Sequence, residues 1–250
     1  MNITFLRSIL ILVFIYNVSG GRSGKRLVLE EMDIEQEIMN LKQAMAQKDA
    51  QIGSLRNQIG STYTRWGRTT CPGNGTELVY SGFMAGTYHD DANYKGAGAN
   101  YLCLADQPTW DHYSETVNNV IRITGVQYEF YAHSETHHDL QDFFGSDIHD
   151  DEAPCSVCRA PRSTSVMVPG RKDCYPGWTM EYSGYLVGAY SGYDDASEYI
   201  CLDRRPEVVV NSGSSYGDNM LYFVEAYCGK SLECPPYVNN RELACVVCTK

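Results

Sequence analysis

Apolar positions recur every seven residues from Leu27 to Ile59, and beyond Gly60 that period disappears. With Leu27, Ile34, Leu41, Lys48 and Leu55 at d, the a positions are Glu31, Ile38, Met45, Ile52 and Ile59, so eight of ten seam positions are apolar. Between them lie mostly Glu, Gln, Lys, Asp and Asn, no proline interrupts the run, and Gly60 stands where a helix would stop. The pattern predicts an α-helical coiled coil over 27–60. Such a rod is about 50 Å long at 1.5 Å per residue, and the chain that carries it oligomerises. Ile at a with Leu at d leans to two strands, whereas Ile34 and Lys48 at d and Met45 at a weaken that signature. Glu37 at g meets Lys42 at the following e of a neighbour, which favours a parallel arrangement.

Upstream, Arg7 precedes an apolar run, Ser8 to Val18, and small residues follow it. This reads as a secretory signal over 1–20, because an eleven-residue run falls short of the ~20 needed for a membrane anchor. Residues 21–26 form a short basic linker. Removing 1–20 takes one positive and no negative charge, so the formal net charge passes from −11 to −12. A chain this acidic is not expected to seek nucleic acid or anionic lipid, and no membrane span is expected after cleavage.

After Gly60 short β-prone runs replace the helical period: Glu77–Phe83, Val120–Ala132, Ser165–Val168, Met180–Val187, Glu207–Val210, Met220–Tyr227 and Ala244–Val247. The alternation in Val126–Phe130 predicts one buried face. Landmarks within this region occur twice in the same order. Gly67-Arg68, Cys71, Tyr80-Ser81-Gly82-Phe83, Asp90-Asp91-Ala92, Tyr101-Leu102-Cys103-Leu104 and Cys155-Ser156-Val157-Cys158 are answered by Gly170-Arg171, Cys174, Tyr182-Ser183-Gly184-Tyr185, Asp194-Asp195-Ala196, Tyr199-Ile200-Cys201-Leu202 and Cys245-Val246-Val247-Cys248. The expected fold is therefore mainly β: two tandem homologous lobes, 64–161 and 162–250, behind the coiled coil.

All ten cysteines lie in these lobes. In an exported chain an even count reads as a disulfide framework, ahead of a Cys₄ zinc site or a redox-active CxxC. Four cysteines per lobe allow three pairings, among which spacing does not choose. Cys228 and Cys234 lack counterparts in the first lobe, as expected if they bond to each other.

The lobe pattern, an early Cys near Pro and Gly, Tyr-x-Gly-aromatic, Cys-Leu, and a closing Cys-x-Val-Cys, resembles the duplicated C-terminal non-collagenous domain of type IV collagen. Arg65-Trp66-Gly67-Arg68-Thr69-Thr70-Cys71-Pro72, Cys155-Ser156-Val157-Cys158-Arg159-Ala160-Pro161 and Cys234-Pro235-Pro236-Tyr237 are similar to the heads of short-chain, spongin-like collagens of sponges and other invertebrates. The resemblance covers residues 64–250. It implies a trimerising all-β head, a role in extracellular matrix, and the pairs Cys71–Cys158, Cys103–Cys155, Cys174–Cys248 and Cys201–Cys245. The chain has no Gly-X-Y repeat, so it forms no collagen triple helix.

Asn74-Gly75-Thr76 is an N-glycosylation sequon, expected to be occupied. The six histidines, His89, His112, His133, His137, His138 and His149, with Asp139, Asp142, Asp147, Asp150 and Asp151, raise a divalent cation. No strict ligand spacing appears, so a solvated acidic loop is the simpler reading and no metal or cofactor is expected. Asp90-Asp91 and Asp194-Asp195 read as turns. No GxSxG, HExxH or phosphate-binding glycine loop occurs, and no enzyme is expected. The expected function is a secreted structural matrix protein, a homo-oligomer with the trimer favoured, with other matrix proteins as further partners. The alternative is a multivalent, lectin-like recognition module.

Overall fold

The computed structural model describes residues 23–89, 98–115, 121–130, 140–214, 217 and 219–250, excepting the side chains of 23–31 and 56–58. The expected signal over 1–20 lies outside them. The chain divides into two units, ending and beginning at Arg56 and Asn57.

In the first unit, helix α1 (Ser23–Gln58) runs for 36 residues. It starts within the stretch read as linker, where Lys25 and Arg26 favour a helix and offset the poor helix former Gly24. Seam residues Ile34, Ile38, Leu41, Met45, Ile52 and Leu55 are exposed by 44 to 66%; the side chains of Leu27 and Glu31 lie outside the described set. Ile59, assigned to the last seam position, falls beyond the helix end, and its carbonyl accepts from the Arg159 guanidinium instead (3.4 Å). No described helix is long and apolar enough to cross a membrane.

The second unit is built on one mixed sheet of eleven described strands. β1 (Ser61–Trp66) lies antiparallel to β6 (Pro154–Ala160), with Trp66 opposite Cys155. β6 continues onto β2 (Glu77–Thr87), Cys155 opposite Gly82, and β2 onto β3 (Leu102–Ala105), Met84 opposite Cys103. Further along the chain, β7 (Ser165–Pro169) lies on β11 (Ala244–Thr249), with Pro169 opposite Cys245. β11 continues onto β8 (Thr179–Ala189), Cys245 opposite Gly184, and β8 onto β9 (Ile200–Asp203), Leu186 opposite Cys201. Both long strands carry a one-residue bulge, at Val79 and at Glu181. β4 (Ile123–Gly125) adds to β2, β10 (Met220–Phe223) adds to β8, and β5 (Gln127–Tyr128) runs parallel to β10.

Cys245-Val246-Val247-Cys248 is buried on both faces, which is why β11 reads as an unbroken apolar run. The long strand expected over 120–132 is divided, because 123–125 pair with β2 whereas 127–128 pair with β10; Val120 and residues 131–132 lie outside the described set. Val126, Tyr128 and Phe130 are buried as their alternation predicts. Gln127 is buried too, its amide donating to the carbonyls of Asp150 (3.1 Å) and Ser214 (2.6 Å) and accepting from the Gly217 N–H (3.1 Å). Residues 207–210 form no strand. Their backbone donors go singly to two partners, Glu207 to Gly67 and Val209 to Glu152, so no ladder builds. β1, β3, β6, β9 and the short helix α2 (Leu140–Phe144) were not anticipated.

One apolar cluster joins Trp66, Met84, Tyr128 and Cys155 to Val187, Leu202 and Leu221; a second joins Tyr63 and Cys158 to Tyr182, Cys245 and Val247. Both cores thus draw on strands from both halves. The structure bonds Cys71 to Cys158, Cys103 to Cys155, Cys174 to Cys248, Cys201 to Cys245 and Cys228 to Cys234. The first spans 87 residues and the last six. In the chain-entropy model, replacing Cys71 and Cys158 with Ser should cost about 4–5 kcal/mol, and replacing Cys228 and Cys234 about 2 kcal/mol. Urea unfolding of the two double variants tests this order, and equal losses would refute it.

Candidate assembly interface

Where the two halves meet, β1 is the joint. On its second side it touches β9 in parallel, with Trp66 opposite Leu202. Gly67 adopts φ +86 just beyond, and a Cβ there would lie 2.8 Å from Leu202 and 3.0 Å from Pro206, so close approach requires glycine. The Gly67 N–H donates to the Pro154 carbonyl, and its carbonyl accepts from the Glu207 N–H (2.7 Å).

Polar groups close the same joint. Arg65 donates to the buried Asp203 carboxylate (2.7 and 2.8 Å), while Arg68 pairs with Glu207 (3.1 Å) and donates to the Arg205 carbonyl (3.0 Å). Glu207 also accepts from the Thr69 N–H and hydroxyl (3.0 and 2.7 Å). Burial alone would raise the Glu207 carboxyl, but the Thr69 hydrogen bonds and the Arg68 and Arg65 charges hold it below its ordinary value. The Tyr182 hydroxyl donates to the carbonyls of Thr64 and Cys201 (3.1 and 2.9 Å), and burial followed by the Asp203 charge raises its pKa.

The strand registers give several residues of this joint a counterpart. Pro169-Gly170-Arg171 stands on β11 as Trp66-Gly67-Arg68 stands on β6, including a Gly170 N–H donated to the Ala244 carbonyl. Likewise β3 stands on β2 as β9 stands on β8, which matches Leu104 to Leu202 and Leu102 to Ile200. Yet their environments differ. Leu202, Ile200 and Tyr182 are 0, 4 and 5% exposed, whereas Leu104, Leu102 and Tyr80 are 39, 41 and 36% exposed. Similarly Tyr63 is 8% exposed and its counterpart Val166 40%. Among the described strands β3 pairs only with β2, and β7 only with β11. The joint is closed within the chain, whereas its register counterparts are partly exposed.

A buried carboxylate sits beside it. Glu181, fully buried at the β8 bulge, accepts from Arg162 (2.6 Å), Thr249 (2.5 Å), Tyr63 (2.8 Å) and the Asn74 amide (3.2 Å). Its register counterpart is Val79, 56% exposed. Glu181 and Arg162 had drawn no attention in the sequence, since both stand just outside the repeated landmarks. The sequon bears on the same cluster. Asn74 spends its Nδ2 on the Met180 carbonyl (3.1 Å) and on Glu181, and its buried Oδ1 makes no hydrogen bond among the described residues. The Thr76 hydroxyl donates to the Pro72 carbonyl. A glycan would replace one of the two amide hydrogens and so remove one of these two bonds. Peptide mass mapping of the folded chain should recover Asn74 unmodified, and a glycan there alongside an intact Cys71–Cys158 bridge would show that the turn tolerates losing a donor.

Of the histidines, His89 stacks on Tyr193 at 3.8 Å and burial lowers its pKa, His112 is exposed, and His149 stands between Glu129 and Asp150. His133, His137, His138, Asp139 and Asp90-Asp91 lie outside the described residues. Asp194 and Asp195 lie in a loop beside Tyr190 and Tyr193. Compared with models of known protein families, the chain matches none.

Proposed function

We propose that the chain is a secreted structural protein of the extracellular matrix, whose two tandem homologous lobes assemble head to tail with those of other copies while residues 27–58 wind into a parallel coiled coil. The observation that carries this reading is the unequal burial of matched residues: Leu202, Ile200 and Tyr63 are covered, while Leu104, Leu102 and Val166 are not. The β3 edge of one head receives the β7 edge of the next, as β9 receives β1 within the chain. Such a contact is heterologous, and it closes into a ring when the rotation permits. Three heads are the preferred number, by likeness to the collagen heads that trimerise. The two-strand signature weakened by Ile34 and Lys48 agrees with three. The bridges suit an oxidising extracellular space, and other matrix proteins are the natural further partners.

Sedimentation over a dilution series tests it. The wild type should sediment as three chains. Ile38→Asp with Ile52→Asp places unpaired charge in the seam and should leave an assembly that dissociates on dilution. Adding Leu104→Asp on the open β3 edge should leave monomer even at high concentration. A wild-type mass of two chains, or a mutant assembly unchanged by dilution, would refute the reading.

A second reading, a multivalent lectin-like module, has one observation in its favour. Tyr190, Tyr193, Tyr199 and Tyr222, with Asp194 and Asp195, line an open cleft of about 620 Å³, and tyrosine faces with carboxylates suit a sugar. Glycan arrays separate the two: selective, competable binding supports recognition, and self-association without it supports matrix.

A further inference from the structure

The segment after β5 is pinned on both sides. The Tyr128 N–H donates to the Asp151 carbonyl (2.9 Å), the Asp150 N–H to the Tyr128 carbonyl (3.0 Å), and the Glu129 N–H to the Leu221 carbonyl (3.0 Å). Beneath, the fully buried Tyr128 and Ile148 anchor both strands of this contact in the core. Asp150 takes φ 64, a left-handed conformation open to few residues other than Gly, Asn and Asp, and so reverses the chain beside Glu129.

This framework gathers three donors. One carboxylate oxygen from each of Glu129 and Asp150 and one His149 ring nitrogen lie within 4.8 Å of one another, all half-buried. Glu129 Oε1 is 3.8 Å from Nδ1, and Asp150 Oδ1 is 3.7 Å from Nε2. With a neutral imidazole the group holds two negative charges in a partly dehydrated place, where like charges repel strongly. A divalent cation offsets both.

We propose that Glu129, His149 and Asp150 form a surface site for a first-row divalent cation of the zinc and copper class, with solvent completing the coordination. One nitrogen and two oxygens with an open position are a set that zinc accepts. Donors at about 2.0–2.2 Å around a tetrahedral ion stand roughly 3.4 Å apart, so side-chain rotation must draw together donors that lie within 4.8 Å of one another. Calcium is the wrong ion, since it takes six to eight oxygens.

The test uses the full chain, freed of metal with a chelator and titrated with zinc chloride in a calorimeter. One equivalent should bind at about pH 7.5. His149→Gln and Glu129→Gln should each weaken binding tenfold or more, while the triple replacement of His133, His137 and His138 by Gln leaves it unchanged. Melting temperatures without metal report folding. Should a variant fail to fold, Asp150→Asn, which keeps the left-handed backbone and loses only charge, should weaken binding as well. No zinc uptake by the wild type, uptake unaffected by His149→Gln, or uptake abolished by the triple replacement would each overturn the site.

Discussion

Replacing Gly184 with alanine should destabilise the head far more than the matched change at Gly82. A Cβ on Gly184 would lie 1.7 Å from the Leu202 carbonyl oxygen and 2.9 Å from the Arg204 nitrogen. Both are backbone atoms of the neighbouring strand, so no side chain can rotate away. At Gly82 the clash is as close, 1.8 Å from the Leu104 carbonyl oxygen. The difference lies in what each neighbour is attached to. β9 is buried throughout and pairs with β1 as well as β8, so it cannot retreat without opening both cores. Among the described strands β3 is an edge, held by one ladder and the Cys103–Cys155 bridge. Overpacking of this kind costs about 1–3 kcal/mol where structure can shift and more where it cannot. Gly82→Ala should fall in that range, and Gly184→Ala above about 3 kcal/mol. Denaturant unfolding of both variants measures it; equal losses would mean that β3 is as firmly held as β9.

Arg162→Ala should cost about 3–5 kcal/mol, the loss typical when one member of a buried ion pair is removed. Glu181 has no exposed surface, and the Arg162 guanidinium at 2.6 Å supplies its only positive charge among the described ion pairs. Burial raises the Glu181 carboxyl, but hydrogen bonds from Thr249, Arg162, Tyr63 and Asn74 outweigh it and hold the pKa below the ordinary 4.5. The sign of the pH dependence follows. A depressed folded pKa contributes stability that is present above the unfolded value and is lost as pH falls through the folded one. The stability gap between wild type and Glu181→Gln should therefore be flat near neutrality and narrow only below about pH 4.5. A gap that widens in acid would contradict the assignment.

Both predictions fall where local sequence patterns were least informative. Ala244–Val247 and Met180–Val187 were legible because their residues are apolar on one or both faces, and burial selects such residues wherever the strand pairs. β1 and β6 were not. Ser61–Trp66 and Pro154–Ala160 contain Ser, Thr, Arg and Pro, and they become strands because partners about a hundred residues distant cover them. Tertiary pairing of that range leaves no local period. The opposite failure occurs at 207–210, where Val208, Val209 and Val210 have strand propensity but no ladder partner.

The interface was legible only in part. The recurring Tyr-Ser-Gly-aromatic landmark pointed to a repeated need, and the clash distances at Gly82 and Gly184 supply its cause: backbone meets backbone at both. Nothing in the sequence distinguished Leu104 from Leu202, because the two stand in near-identical local motifs. Their difference is whether another strand arrives to cover them. Arg65 and Asp203 were invisible for a related reason, since their partnership exists only once β1 reaches β9.

The nested bridges also determine how this head would respond to being pulled by its ends. Ten residues separate Ser61 from Cys71, sixteen separate Cys158 from Cys174, and two follow Cys248. Tension therefore crosses from Cys71 directly to Cys158 and from Cys174 directly to Cys248, bypassing the 87- and 74-residue loops between them. At about 3.5 Å per extended residue the covalent path can lengthen to roughly 110 Å, against about 660 Å for the same chain with its thiols reduced. Most of the sheet is thus outside the line of force, and the head acts under load as a short link whose reach is governed by the redox state of its nested bridges.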